Sequence, residues 1–139
     1  MPDPERSAEN KMTNKLTIEE CPGTTIITDA EELVRRLQAA SKEGKTEFWL
    51  AHKKWPTLTI ALTDRTNLAY IHYFPEEDHP GFQPIPKNQN TDLIPLLLSS
   101  HEDTTMEARY FVDLETAYAA AAEFFETEKL PSSIEWQEL

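Results

Sequence analysis

Three consecutive carboxylates, Glu76, Glu77 and Asp78, are the densest group of chemically active side chains in the sequence. A pair of carboxylates can act as general acid and base when both face one substrate from fixed positions. Successive residues of a loop point in different directions, and the sequence identifies no partner carboxylate. We therefore interpret this run either as a solvated acidic loop or as a contact loop for a basic partner, and we assign no catalytic residue.

Histidines and the cysteine offer little more chemistry. His72, His79 and His101 could join Asp78 in binding a divalent metal ion, but none has the i,i+4 spacing of a helical zinc motif. Cys21 is the only cysteine, which excludes an internal disulfide and a cysteine cluster for zinc. The chain has no glycine-rich phosphate loop and no nucleophile elbow. We expect no cofactor, no resident metal and no enzymatic activity.

Aromatic residues are concentrated in the middle of the chain, with few basic residues between them, so we do not expect nucleic acid to stack there. They are Phe48, Trp49, Tyr70, Tyr73 and Phe74. We interpret them mainly as core, with Trp49, Trp55 or Phe82 as possible anchors for a protein partner. Lys53, Lys54 and Trp55 form a small patch that we expect to be exposed at the tip of a hairpin.

The elements that position these residues can be read from hydrophobic spacing. Thr28 and Glu31 form a capping box, and apolar residues at helical spacing then predict a helix over 29–41. Three runs rich in β-branched and aromatic residues, 47–52, 57–63 and 67–74, are separated by short turns. They predict a three-stranded antiparallel meander. The third run is apolar on both faces, so we place it in the middle of the sheet.

The second half begins with a proline-rich stretch, 75–90, which predicts a long irregular loop. Strands are predicted over 92–99, interrupted by Pro95 and therefore at an edge, and over 107–112; their pairing is a hypothesis. Asp113 caps a predicted helix over 114–128, and 134–139 predicts a terminal strand. The fold class is α+β, an antiparallel sheet of about five to six strands with two main helices packed against it. Residues 1–15 are predicted to be a flexible tail and 16–139 a single domain.

Charge is unevenly distributed along the 139 residues. Residues 1–74 carry 11 acidic and 10 basic side chains, whereas residues 75–139 carry 14 acidic and 3 basic ones, within a total net charge of -12. Such a field repels nucleic acid and anionic lipid and attracts basic surfaces, although acidic charge can also serve solubility alone. The sequence has neither an apolar run of membrane-spanning length nor the pattern of a signal peptide, so we expect a cytoplasmic protein.

Four segments in this order resemble the Imm family one of bacterial immunity proteins, which are encoded beside polymorphic toxins, notably nucleic-acid deaminases. They are the strand with Trp55, Leu58 and Ile60, the segment LAYIHYFPEEDHPGFQP, the helix ETAYAAAAEFFETEKLP and the terminal SIEWQEL. The resemblance spans residues 47–139 and implies a non-catalytic protein that binds a cognate toxin in the cytoplasm. Inhibition would then block the toxin's active site or its substrate path.

The resemblance and the charge together define a candidate toxin-binding set, namely Glu76, Glu77, Asp78, His79, Phe82, Gln83 and Trp55. We expect one-to-one binding to a toxin domain with a basic surface, and no direct contact with nucleic acid or membrane. Because this motif typifies a family whose members distinguish different toxins, it could equally be scaffold. An acidic adaptor or chaperone for another basic protein is the main alternative, and a small enzyme or metal-binding domain using Asp78 and His79 is the third.

Overall fold

The computed structural model describes residues 15–20, 23–63, 67–97 and 104–139. The predicted tail 1–15 lies outside this part except for Lys15, and Cys21, His101 and the turn 64–66 lie wholly outside it. The described strands are β1 (Leu16–Glu19), β2 (Thr24–Ile27), β3 (Glu47–Ala51), β4 (Thr57–Leu62), β5 (Leu68–Phe74), β6 (Phe82–Pro84), β7 (Leu93–Leu96), β8 (Thr104–Glu107), β9 (Val112–Asp113) and β10 (Trp136–Glu138). The helices are α1 (Ala30–Lys42) and α2 (Leu114–Thr127), with a 3-10 turn at Ala108–Tyr110.

Eight of the described strands form one large antiparallel sheet in the order β10-β6-β5-β4-β3-β1-β2, with β9 added beside β5. The predicted meander is confirmed as β3, β4 and β5, with β5 internal to the sheet. β7 and β8 form a separate two-stranded sheet. The α+β class is confirmed, but the predicted number of strands was too low. The missed strands are two to four residues long, too short for alternation to identify them.

Two predictions in the second half were wrong in detail. The stretch 75–90 is not entirely irregular, because Phe82–Pro84 forms β6 and pairs with both β5 and β10. The strand predicted over 107–112 is instead the end of β8, a 3-10 turn and β9. The hypothesis that these two predicted strands pair is met only at Leu93 and Glu107, because β7 pairs with β8 and the rest of β8 precedes the predicted strand.

Local signals set the helix ends. Asp29, not Thr28, caps α1: it has an extended backbone, and its Oδ1 accepts the Glu32 N–H at 2.7 Å. Glu32 in turn accepts the backbone N–H of Thr28 at 3.1 Å, so the predicted capping box is displaced by one residue. Asp113 caps α2 as predicted, by accepting the Thr116 N–H at 2.7 Å. α2 ends at Thr127, and the next residue, Glu128, caps it in a left-handed conformation.

Both helices pack on one face of the large sheet and against each other. Three fully buried alanines, Ala117, Ala120 and Ala121, let α2 approach the strands closely. Between helices and sheet lie side chains such as Phe48, Leu58, Ile71 and Phe124, each stabilising the fold by about 1.5–3 kcal/mol. Because strand side chains alternate, the residues between them point to the opposite face, which we call the open face.

α1 and α2, the α-helices that the structure describes, each fall short of the length and hydrophobicity of a membrane-spanning segment.

Candidate functional site

The candidate residues lie at one end of the large sheet, which we call the loop end. The turn 52–56 joins β3 to β4 there and contains Trp55, and the loop 75–81 joins β5 to β6 there and contains the acidic run. Thr57 pairs with Phe74, so the two connections leave the sheet from neighbouring strands. The β7–β8 sheet joins at the opposite end, where the Leu97 N–H donates to Leu62 O at 3.1 Å. The structure thus places the turn and the acidic loop together.

The three acids project from this loop into solvent. Glu76, Glu77 and Asp78 are all exposed, and within the described residues none of their carboxylates has a hydrogen-bond or ion-pair partner. The backbone below them is ordered by a hydrogen bond from the His79 N–H to Glu76 O at 3.3 Å. Three neighbouring negative charges are therefore available to a partner without breaking an internal contact.

His79 fixes the loop and is not free. Its Nδ1 accepts the Gly81 N–H at 2.7 Å, so the ring proton lies on Nε2, which donates to Glu138 Oε2 at 2.6 Å. The ring stacks on Phe82 with centroids 5.5 Å apart, and Phe82 packs edge-on against Tyr73 in the core. His79 and Phe82 thus attach the acidic loop to β10 and to the core.

Gly81 is the residue that lets the loop close. Its φ is +94°, and a Cβ there would overlap the His72 imidazole and lie 2.8 Å from Tyr73 O. Its carbonyl accepts the Leu139 N–H at 2.9 Å, so both polar backbone groups of Gly81 are bonded. Only glycine fits this close approach of loop and strand.

Gln83 lies on the open face within a polar chain. The Tyr70 hydroxyl is 2.9 Å from Gln83 Oε1 and 3.0 Å from His72 Nδ1, and His72 Nε2 donates to Pro80 O at 2.9 Å. Burial lowers the pKa of His72 and raises the pKa of Tyr70 to about 12, so both side chains are uncharged at neutral pH. This chain links β5 to β6 and supports the loop from the open face.

Aromatic rings form a row across the open face. Trp49 stacks parallel to Phe74 at 6.2 Å, Phe74 stacks on His72 at 4.3 Å, and Tyr70 contacts Phe111 edge-on at 6.1 Å. The segment with Phe111 covers the Tyr70 end of this row, whereas Trp49 at the other end remains 37% exposed. The exposed end of the row is the one that adjoins the acidic loop, because Phe74 immediately precedes it.

Beside Trp49 the open face contains a groove of about 350 Å³ that extends to Trp55. Lys53 and Lys54 are exposed on its rim, as expected for a hairpin tip, and Trp55 is partly buried. Thr17 and Glu19 of β1 also line the groove. Sequence reasoning missed this groove because it depends on β1, which gave no recognisable strand signal.

The described residues of the loop end do not form a metal site. No group of three or more His, Cys, Asp or Glu side chains in this part of the chain is placed to hold a metal ion. The His79 ring nitrogens already contact Gly81 and Glu138, so the third hypothesis would have to displace them. What the loop end offers is a preorganised acidic and aromatic surface, suited to binding.

Comparison with known families gives a match of broad coverage. The family model described as Immunity protein Imm1 matches residues 23–138, which include both helices, the loop end and the terminal strand. No curated protein matches the chain.

Proposed function

This chain belongs to the Imm1 family of immunity proteins, and from that premise we propose that it inhibits its cognate toxin by covering the toxin's substrate groove. Family membership makes it an immunity protein directed against a toxin. The proposed details are a nucleic-acid deaminase as the toxin, one-to-one binding in the cytoplasm of the producing cell, and inhibition without catalysis. The acidic loop is the proposed contact.

One observation supports this proposal above the others: Glu76, Glu77 and Asp78 are exposed and unpaired on a loop whose backbone is fixed. An enzyme that acts on DNA or RNA binds phosphates through basic side chains, and three adjacent carboxylates complement such a groove. Because His79 and Gly81 already hold the loop, little conformational entropy would be lost on binding. The loop could therefore occupy the path of the nucleic acid and exclude it electrostatically and sterically.

The residues proposed from the sequence for toxin contact fall into two groups. The acids and the Trp55 turn are the surface groups, whereas His79, Phe82 and Gln83 support the loop through bonds and packing within the chain. We propose direct toxin contact for the first group and positioning for the second. This assigns the family-typical motif partly to scaffold and partly to interface.

Coexpression with the toxin encoded beside this gene tests the proposal. We expect the protein to restore growth of cells that produce the toxin, and the purified protein to abolish deamination of DNA or RNA at a one-to-one ratio. A deaminase toxin from an unrelated system serves as the control and should remain active. Failure to restore growth or to bind the neighbouring toxin would contradict the proposed function.

A further inference from the structure

The groove beside the acidic loop has the size and lining of a pocket that binds a side chain of a partner protein. It is lined by two tryptophans, three smaller residues and three charged residues, namely Trp49, Trp55, Thr17, Ala51, Thr57, Glu19, Lys53 and Lys54. Its volume of about 350 Å³ is large enough for one bulky side chain. Tryptophan-lined pockets are frequent sites of high binding energy at protein interfaces.

The turn that forms one wall of the groove contains polar groups without partners. The indole N–H of Trp55 and both ring nitrogens of His52 are buried and have no hydrogen-bond partner within the described part of the chain. A buried polar group without a partner costs about 1–3 kcal/mol. The His52 ring packs against Phe124 and Phe125 of α2, with ring centroids 6.0 and 5.2 Å apart, so it belongs to the helix side of the sheet and not to the groove. Trp55 lines the groove, and an acceptor brought by a partner would satisfy its indole N–H.

The groove lining contains two lysines, Lys53 and Lys54, and one acid, Glu19, so its net charge is positive and opposite in sign to that of the whole molecule. Lys53 and Lys54 are exposed, and neither forms an ion pair with another described residue, although the chain carries a net charge of -12. A basic partner attracted by the acidic loop would be repelled at this point unless it presents an acidic group there. Local repulsion of this kind discriminates between partners that share the same general charge.

We propose that this groove is the specificity pocket of the immunity protein and receives, from the cognate toxin, an apolar side chain that lies next to a carboxylate. The inference rests on the proposed function and locates the contact that distinguishes one toxin from another. The apolar side chain packs between Trp49 and Trp55, and the carboxylate pairs with Lys53 and Lys54. Continuity with the acidic loop at the same end of the sheet allows one toxin to contact both regions.

Charge reversal at the rim separates this proposal from general electrostatics. The variant K53E/K54E makes the protein more acidic, so a groove outside the interface would leave affinity for the basic toxin unchanged or increase it. We expect the opposite: dissociation of the neighbouring toxin measured by surface plasmon resonance should be about 10-fold faster or more. The control variant R35E/K87E changes the charge equally at exposed positions outside the groove and should not weaken binding.

Filling the groove gives a second, charge-independent measurement. Ala51→Phe introduces a ring into the groove, and we expect it to weaken toxin binding by about 10-fold or more while thermal unfolding confirms a folded protein. Wild-type affinity in both K53E/K54E and A51F would overturn the pocket and leave the proposed function standing. Absence of binding by the wild-type protein would overturn both. A wild-type homodimer that K53E/K54E dissociates, seen by sedimentation without toxin, would assign the groove to a second copy and also overturn the proposal.

Discussion

Glu20 shows how a single buried charge can organise the end of a sheet. Its side chain is 1% exposed, and its two oxygens accept from Arg36 Nε at 2.6 Å, Arg36 Nη2 at 2.7 Å, Lys45 Nζ at 2.7 Å and Thr25 Oγ1 at 2.9 Å. These bonds, that from Arg36 first, outweigh desolvation and lower the pKa of Glu20 from 4.5 to about 2. The carboxylate therefore joins the end of β1 to β2, to α1 and to Lys45 in the connection between α1 and β3, at the end opposite the candidate site.

Replacing Glu20 by Gln should destabilise the protein in a pH-dependent way. A carboxyl whose pKa is lower in the folded than in the unfolded chain stabilises the fold above the unfolded value, and this stabilisation is lost as the pH falls toward the folded value. We expect Glu20→Gln to lower the free energy of unfolding at pH 7 by about 3 kcal/mol. The difference from wild type should shrink between pH 4.5 and about 2, as urea denaturation at several pH values can measure.

Glu31→Gln is the matched control for this experiment. Glu31 is 90% exposed and lies 3.8 Å from Arg35, so its replacement should change the free energy of unfolding by less than about 0.5 kcal/mol. A Glu20→Gln variant with wild-type stability at pH 7 would show that the cluster does not hold these elements together.

Substitutions at two glycines distinguish the cost of an unfavourable backbone conformation from the cost of steric overlap. Gly81→Ala should destabilise the fold by about 3 kcal/mol, because the new methyl group overlaps His72 and the positive φ is unfavourable as well. Gly44 has a similar φ of +91°, and no atom lies within 4 Å of the position that a Cβ would occupy, so Gly44→Ala should cost only about 1 kcal/mol. Chemical denaturation of both variants checks the difference. Equal losses would mean that the contact of the loop with His72 is easily relieved.

At the scale of elements, the sequence predicted the helices and strands whose apolar residues recur at regular spacing. The helix 114–128 and the meander were found because their apolar residues recur over many positions. The proximity of Trp55 to the acidic run was not predicted and follows from the pairing of Thr57 with Phe74. β6 was missed because three residues ending in proline give no period. The Glu20 cluster was missed because Arg36 and Lys45 lie 16 and 25 positions away in sequence. Contacts of this kind follow from the assembled sheet and have no local signal.

The loop 75–81 is the element whose charge we expect to speed toxin binding. In the variant E76Q/E77Q/D78N, association with the neighbouring toxin should be about 10-fold slower at low salt, with dissociation changed less than about 3-fold. The side chains have no internal partners among the described residues, so the free energy of unfolding should change by less than about 0.5 kcal/mol. Stopped-flow association and urea denaturation provide these measurements.

A variant with the same change in charge tests whether position matters. E31Q/D92N/E115Q removes three exposed acids from α1, the segment before β7 and the first turn of α2. It should slow association by a smaller factor than the loop variant. If both variants slow association by the same factor, the loop makes no special contribution to toxin binding.

At the scale of the whole molecule, the two faces of the large sheet differ in burial. One face is buried under both helices and supplies the core, whereas the open face is covered at the Tyr70 end and exposed near Trp49. Acidic residues of the second half are spread over the loop, α2 and the terminal strand, so the field extends well beyond the three loop carboxylates. The fold thus combines a rigid support with a long-range negative potential.

This distribution predicts how the whole protein responds to salt. If the charge attracts the toxin, raising ionic strength from about 20 to about 500 mM should slow association by about 10-fold or more, because the screening length falls well below the size of the interface. Dissociation, governed by close contacts such as those proposed for the groove, should change by less than about 3-fold. The loop variant E76Q/E77Q/D78N should retain part of this salt dependence, since the remaining acids still contribute. An association rate that is independent of salt would instead mean that the acidic charge serves solubility, and recognition would then depend on shape and apolar contact alone.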